Sequence, residues 1–175
     1  MLRLVEPAPH YKAAMLAAAA EMHAVGEWDI TPDALAARFD AMLQELAAAK
    51  DPATAPSGVL PYEDFWLMDG AEWIGLLTLR LQLNEQFLLS GGHIGYVIRP
   101  SKRRRGYGTT LLRLGLKQAR ARGLHRVLLT CDETNSASRK MIEANGGQLE
   151  NEVIVPGHAV RRLRYWISLE ASGVP

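Results

Sequence analysis

The chain has 175 residues, 48% of them hydrophobic and 22% charged, and its formal net charge at pH 7 is +1. This composition places it among ordinary globular proteins. Lysine and arginine together number 20, against 19 aspartate and glutamate residues. With no overall basic field, nucleic acid is not expected as a partner.

The length predicts a single domain over residues 1–175. The one cysteine, Cys131, excludes an intrachain disulfide framework and favours a reducing compartment. It closes a strand-like run, so we interpret it as a small buried residue rather than a nucleophile. The N-terminus lacks the pattern of a signal peptide, and no apolar stretch approaches the roughly 20 residues that cross a bilayer. We therefore expect a cytoplasmic protein without a membrane partner.

The first half of the chain predicts one strand, two helices and a hairpin. Alanine and regularly spaced apolar residues indicate the helices, and Thr31-Pro32 is typical of an N-cap followed by proline in the first turn. Asp69-Gly70 is a hairpin signal between two β-prone runs. In chain order, the predicted elements are a strand at 2–5, helices at 10–25 and 31–50, and strands at 64–68 and 73–83.

The second half alternates strands and helices. A short acidic and apolar connection leads to Gly91-Gly92, and Pro156-Gly157 turns the final hairpin. The predicted elements are a strand at 93–98, a helix at 109–122, a strand at 127–130, a helix after Asn135, and strands at 149–155 and 160–168.

The most informative segment is the basic loop Arg103-Arg104-Arg105-Gly106-Tyr107-Gly108, which joins a predicted strand to a predicted helix. The first turn of a helix leaves backbone N–H groups without intrahelical partners and carries partial positive charge. The two glycines permit a sharp turn and a close approach of the backbone, and the arginines add donors. The segment therefore predicts a site for a pyrophosphate.

The surrounding pattern narrows the type of pyrophosphate ligand. A Walker loop would place Lys after its last glycine, whereas Thr109 follows Gly108 directly, and a dinucleotide fingerprint needs a third glycine. The order Arg-x-x-Gly-x-Gly, strand, Asn135-x-x-Ser138 and Glu143-x-x-Gly146 resembles the acyl-CoA half of the GNAT superfamily of N-acetyltransferases. The resemblance extends over residues 93–147.

This resemblance implies an α/β (α+β) fold with a central mixed, mostly antiparallel sheet whose fourth and fifth strands splay apart. Acetyl-CoA is the implied co-substrate, and no metal is expected. Its pantetheine arm would lie in the gap between the splayed strands, where unpaired backbone groups need partners. The implied cofactor contacts are Val97, Ile98, Arg103, Arg104, Arg105, Gly106, Tyr107, Gly108, Thr109, Asn135 and Ser138.

The implied reaction is direct attack of a primary amine on the thioester in a ternary complex, without a covalent enzyme intermediate. Many family members carry a proton-donating tyrosine seven residues after the asparagine, where this chain has Ile142. Tyr96, Ser138 and Tyr107 are the candidate replacements. His93, at the start of the central strand, is the candidate general base because imidazole titrates near neutral pH.

Several alternatives remain open at the level of sequence. Ile142 leaves room for an acyl-CoA-binding sensor with little or no turnover. Polar residues near strand ends are candidates for recognising an ammonium group, and these are Glu63, Asp64, Asn84 and Glu85. The acceptor is a small-molecule or peptide amine that no motif specifies. The terminal strands offer an edge on which a homodimer could form.

Overall fold

A computed structural model describes residues 1–157 and 159–170. Its helices and strands follow the order predicted from the sequence, with one additional helix. They are β1 (Leu2–Val5), α1 (Lys12–Ala24), α2 (Pro32–Ala49), β2 (Glu63–Asp69), β3 (Glu72–Leu79), α3 (Glu85–Leu89), β4 (Ile94–Ile98), α4 (Tyr107–Ala121), β5 (Arg126–Asp132), α5 (Ser136–Glu143), β6 (Gln148–Val153) and β7 (Arg162–Ser168).

The strands form two antiparallel sheets, with the orders β1-β2-β3-β4 and β5-β7-β6. Helices α1 and α2 pack against one face of the first sheet, where Phe39, Trp66 and Trp73 form an apolar cluster. The opposite face packs against α4 and continues into the second sheet, with Leu77, Leu111 and others in a larger cluster. None of the helices in the described residues is both long and apolar enough to cross a bilayer.

A glycine determines how closely α4 approaches the first sheet. Gly115 is buried in α4, and a Cβ built on it would overlap the Cδ1 atom of Leu77 on β3. Leu77 is itself fully buried, so it has no room to move away. The helix therefore lies directly on the strand next to β4.

The two sheets meet only at one end of β4. Gly92 and Leu129 form an isolated bridge, and the His93 N–H donates to the Leu128 carbonyl at 2.8 Å. Beyond this point β4 pairs only with β3, and β5 pairs only with β7, among the described strands. The predicted α/β class with splayed fourth and fifth strands is thus confirmed.

The largest differences from the predicted elements lie in β3 and in the connection that follows it. β3 ends at Leu79 rather than at residue 83. The connection described from the sequence only as acidic and apolar contains α3, whose N-cap Asn84 accepts a hydrogen bond from the Phe87 N–H at 2.9 Å. A helix of five residues is too short to show an apolar period, so its capping residue was the only available signal.

Candidate functional site

The gap between β4 and β5 presents backbone donors. The Arg99 N–H donates to the Ile74 carbonyl on β3, and the His93 carbonyl accepts from the Arg80 N–H on the continuation of β3. Because backbone groups on an antiparallel strand alternate in direction, the N–H groups of Tyr96 and Ile98 point away from β3, into the gap. Ile98, rather than Val97, thus offers an amide to a ligand there.

The loop before α4 has the backbone geometry of an anion site. Gly106 adopts φ +78°, and Arg104 has φ +60°, the only positive φ of a non-glycine residue in the described chain. The Thr110 N–H makes the first helical bond, to the Gly106 carbonyl at 3.2 Å. The amides of Gly108 and Thr109 precede it, so they are free for an anion such as a pyrophosphate.

A cavity of about 570 Å³ opens beside this loop and reaches into the strand gap. Its volume is in the range of small-molecule and cofactor sites. It brings together most of the residues predicted to contact the cofactor. Those lining it are Val97, Ile98, Arg103, Arg104, Gly106, Gly108, Thr109, Asn135 and Ser138, and the catalytic candidate Tyr96 lines it too.

Two residues of the predicted loop do not line this cavity. The Arg105 side chain is exposed to solvent. Tyr107 packs against the larger apolar cluster, and its hydroxyl lies 3.4 Å from the Asp69 carboxylate. The structure therefore places the cavity on one side of the loop, with Tyr107 anchoring the other side to the sheet.

Arg103 already has an anionic partner in this structure. Its guanidinium bonds the Glu27 carboxylate through two contacts, at 2.7 and 2.5 Å, and its Nε donates to the Ile98 carbonyl at 2.9 Å. The pairing lowers the pKa of Glu27. Glu27 lines the same cavity, so a side-chain carboxylate lies where the loop would receive a phosphate. The sequence offered no signal for this contact.

Gly108 is the point of closest packing in the cradle. A Cβ at this position would lie 2.8 Å from Met141 Sδ and 3.8 Å from Ile98 Cγ1. Both neighbours belong to the cavity wall. The free amides, the basic side chains and this close approach together fit the diphosphate of a CoA molecule.

Asn135 caps α5 and also lines the cavity. Its Oδ1 accepts from the Ser138 N–H at 3.0 Å and so caps α5. Its remaining amide donors stay available, because Nδ2 and Oδ1 are separate groups. The predicted position of Asn135 near the pantetheine arm is compatible with this arrangement.

Two hydroxyl groups span the gap. Tyr96 on β4 and Ser138 on α5 are hydrogen-bonded to each other. Burial raises the pKa of Tyr96 to about 12, so its hydroxyl stays protonated near neutral pH. The Cys131 thiol lies nearby, is almost fully buried and has a pKa raised by that burial, which agrees with its interpretation as a packing residue.

A second cavity of about 270 Å³ adjoins the first at this hydroxyl pair. Tyr96, Asn135 and Ser138 line both cavities. The second is polar, and it extends toward the closed end of the gap, along Gly95, Thr130, Asp132 and Arg162. The two cavities thus meet at the Tyr96 and Ser138 hydroxyl groups.

His93 does not line either cavity. Its Nδ1 accepts a hydrogen bond from the Leu128 N–H at 2.9 Å, and its ring lies 6.0 Å from that of Trp166. Burial, together with the charge of Arg126, lowers the pKa of His93 to about 4. These features are those of a buried structural histidine joining the two sheets, and we do not assign it the general-base role.

The other candidate positions are mostly engaged in the structure. Ile142 is fully buried in the larger apolar cluster, so no side chain at this position of α5 faces the cavity. Glu63 pairs with Arg122 at 2.5 and 2.7 Å, and Asn84 caps α3. Among the described residues, no group of three or more His, Cys, Asp or Glu side chains is placed to hold a metal ion.

Comparison with known proteins agrees with this geometry. The family model for the acetyltransferase (GNAT) domain matches residues 1–148, and the chain belongs to this family. It is therefore an acetyl-CoA-dependent acyltransferase, as the loop and the splayed strands predicted. No curated protein sequence matches the chain significantly.

Three solved structures illustrate the shared fold. Mycobacterium smegmatis RimJ, in complex with CoA-disulfide, is 21% identical with a TM-score of 0.70, over 95% of this chain and 81% of that one. Salmonella typhimurium yncA, a putative acetyltransferase with acetyl-CoA, is 14% identical with a TM-score of 0.57, over 100% and 96%. Mutant forms of the spermidine/spermine N-acetyltransferase SpeG from Vibrio cholerae are 17% identical with a TM-score of 0.61, over 97% and 95%.

Proposed function

We propose that this protein is an N-acetyltransferase that acetylates a primary amine of a small molecule or peptide by direct attack within a ternary complex. The observation that carries the proposal is the Tyr96–Ser138 hydroxyl pair, which lies where the cofactor cavity meets the second cavity. The name of SpeG, a spermidine/spermine N-acetyltransferase, adds support for an amine acceptor.

In the proposed reaction, groups of the protein bind acetyl-CoA and polarise its acyl carbonyl. The loop amides and Arg104 bind the diphosphate, and Asn135 borders the arm in the gap. Acetyl-CoA supplies an acetyl group on a thioester sulfur that leaves as a thiolate. The Ile98 or Tyr96 N–H, pointing into the gap, polarises the acyl carbonyl by donating a hydrogen bond to it.

Proton transfer is assigned to the hydroxyl pair. As the neutral amine forms the C–N bond and the C–S bond breaks, the Tyr96 hydroxyl donates its proton to the sulfur and recovers one from solvent through Ser138. The proton displaced from the amine nitrogen passes to water. The pKa of Tyr96, raised to about 12 by burial, keeps the donor protonated before each turnover.

The test is release of CoA thiol from acetyl-CoA across amino acids, polyamines, aminoglycosides and peptides, with the acetylated product identified by mass spectrometry. We expect Tyr96→Phe to lower kcat by about 10²-fold or more, with little change in acetyl-CoA affinity. Tyr11→Phe removes a hydroxyl outside both cavities and is the matched control.

Two results would contradict the proposal. An acetylated protein formed with acetyl-CoA alone would replace direct attack by a covalent intermediate. Cofactor binding without release for any amine would favour the sensor interpretation instead. Ile142, which suggested that interpretation, is fully buried, so the proposal assigns proton donation to Tyr96 instead.

A further inference from the structure

The second cavity is a compartment that the cofactor loop does not reach. Tyr96, Asn135 and Ser138 line both cavities, whereas the arginines and glycines of the loop before α4 line the first alone. A cofactor whose diphosphate lies at that loop therefore leaves the second cavity to another molecule, which would meet the thioester at the hydroxyl pair. The volume of about 270 Å³ limits that molecule to a small one.

Asp132 contributes a carboxylate to the wall of the second cavity. It ends β5, directly opposite Arg162 on β7, and its buried Oδ1 lies 2.8 Å from the Arg162 Nη1. The Asp132 side chain is nevertheless 35% exposed. Among the residues that the structure describes, none donates a hydrogen bond to its Oδ2. The arginine thus contacts one oxygen of the carboxylate and leaves the other accessible to a ligand.

Thr130 adds a hydroxyl group on the same face of β5. Side chains alternate along a strand, and Thr130 lies two residues before Asp132. The Thr130 Oγ1 accepts a hydrogen bond from the Gly91 N–H at 2.8 Å, so its own O–H hydrogen remains to be donated. Ser90, which precedes this glycine, is a further hydroxyl residue of the wall. The cavity therefore combines an accessible carboxylate oxygen with hydroxyl donors in one small space.

These groups are suited to a ligand that carries both an ammonium group and hydroxyl groups. A carboxylate oxygen accepts a charge-assisted hydrogen bond from an ammonium group, which is stronger than a neutral one. The hydroxyl donors of the wall need oxygen atoms on the ligand as acceptors. Ile94 and Cys131 also line the cavity, but both are almost fully buried. A hydrocarbon chain would therefore find little apolar surface to cover there.

We propose that the second cavity binds the acceptor through Asp132 Oδ2, and that the acceptor is a small hydroxylated amine, such as an amino alcohol or an amino sugar. This inference rests on the proposed N-acetyltransferase function and narrows its substrate class. The amine enters as an ammonium ion, loses one proton to water and attacks the thioester while an N–H still donates to Asp132. Asp132 binds and orients the acceptor, and alkyl amines without hydroxyl groups are poor acceptors.

The experiment compares amines of similar size with and without hydroxyl groups. Ethanolamine is paired with propylamine, and glucosamine with cyclohexylamine. CoA release is assayed for each amine, and its binding to the CoA-loaded protein is measured by calorimetry. The wild-type protein should prefer the hydroxylated member of its better pair by about 10- to 100-fold in kcat/KM. Asp132→Asn should raise the KM for that amine by a similar factor without changing the KM for acetyl-CoA, and Asp132→Glu should restore part of the affinity.

A matched variant separates acceptor binding from the ion pair with Arg162. Glu150 pairs at 3.1 Å with Arg164 on the same strand, but it lines neither cavity, so Glu150→Gln should change neither KM. An unchanged amine KM in Asp132→Asn, equal losses for amine and acetyl-CoA, or a wild type that neither binds nor acetylates the hydroxylated amines would overturn the inference, while N-acetyl transfer to other amines could persist. Binding of a hydroxylated amine that depends on Asp132, without CoA release, would support the site and refute the proposed function.

Discussion

Side-chain pairing distinguishes the arginines around the site. Arg103 is bonded to Glu27 and the Ile98 carbonyl, whereas Arg104 holds a left-handed backbone position in the loop. The two share a charge but not their surroundings. A guanidinium that already has a carboxylate must exchange it before it can bind a phosphate.

The first prediction concerns this exchange at Arg103. In Glu27→Gln the competing carboxylate is removed, and acetyl-CoA should bind about three- to tenfold more tightly because Arg103 becomes available to the diphosphate. Titration calorimetry at fixed ionic strength measures the change. Glu45→Gln, which breaks the similar two-bond pair with Arg38 on α2, should leave the affinity unchanged. Weaker binding in Glu27→Gln would instead mean that Glu27 orients Arg103 for the ligand.

The second prediction concerns His93. Its pKa is lowered to about 4 by burial, whereas in the unfolded chain it takes up a proton near pH 6.5. The unfolded state therefore binds more protons between these values, and stability falls as pH decreases from about 6.5 to 4. In His93→Gln this contribution, at most about 1.4 kcal/mol per pH unit, should disappear. Denaturant unfolding across this range is the measurement, with the exposed His125→Gln as control.

Short elements position the site more than long ones do. α5 has eight residues and carries Ser138, while its N-cap Asn135 borders both cavities. α3 has five residues and lies in the connection between β3 and β4. Helices this short are unstable alone and depend on their caps and on tertiary packing. Their capping residues are consequently linked to the geometry of the site.

The third prediction separates the two roles of Asn135. Asn135→Asp keeps an oxygen for the Ser138 N–H and adds a charge that suits a helix N-terminus, so stability should be retained. It loses the amide donors and repels an anionic ligand, so acetyl-CoA affinity should fall by about tenfold or more. Asn135→Ala should lose about 1 kcal/mol of stability with the cap. Thermal unfolding measures the stability of each variant, and calorimetry measures its acetyl-CoA affinity. Unchanged affinity in Asn135→Asp would mean that Asn135 acts only as a helix cap.

At the scale of the molecule, the site exists because two sheets meet at one end and separate at the other. The bridge between Gly92 and Leu129 closes the gap, and beyond it β4 and β5 face each other without a ladder. The larger cavity, beside the loop before α4, is lined by residues of β4, α4 and α5. A ligand placed there links elements of both sheets and stabilises the folded state as a whole.

The fourth prediction follows from this linkage. CoA at about 100 times its Kd should add roughly 2.7 kcal/mol of stability and raise Tm by about 5–10 °C. Gly108→Val should lose most of this shift, because a branched side chain would meet Met141 and enter the cavity. Gly108→Ala, which adds only the Cβ beside a flexible methionine, should lose less. An equal shift in Gly108→Val and wild type would contradict the assignment of the cradle.

The amino-acid sequence by itself determined the order of elements and the local geometry of the loop before α4. Helical and strand periods, the Thr31 cap and the hairpin turns are local features, and the positive φ angles of Arg104 and Gly106 belong to the loop's own backbone. These inferences need no distant contact, which explains why the structure agrees with them. The exceptions are β3, which ends earlier than its β-prone run, and the short helix α3.

Only the tertiary structure decided which polar groups share a space. Glu27 and Arg103 are 76 residues apart, and Tyr96 and Ser138 are 42 apart. The strand position of His93 suggested a general base, but in the structure its Nδ1 accepts a hydrogen bond from the Leu128 N–H. The partners of a side chain, its burial and its pKa depend on the groups around it, and segments distant in the sequence contribute those groups.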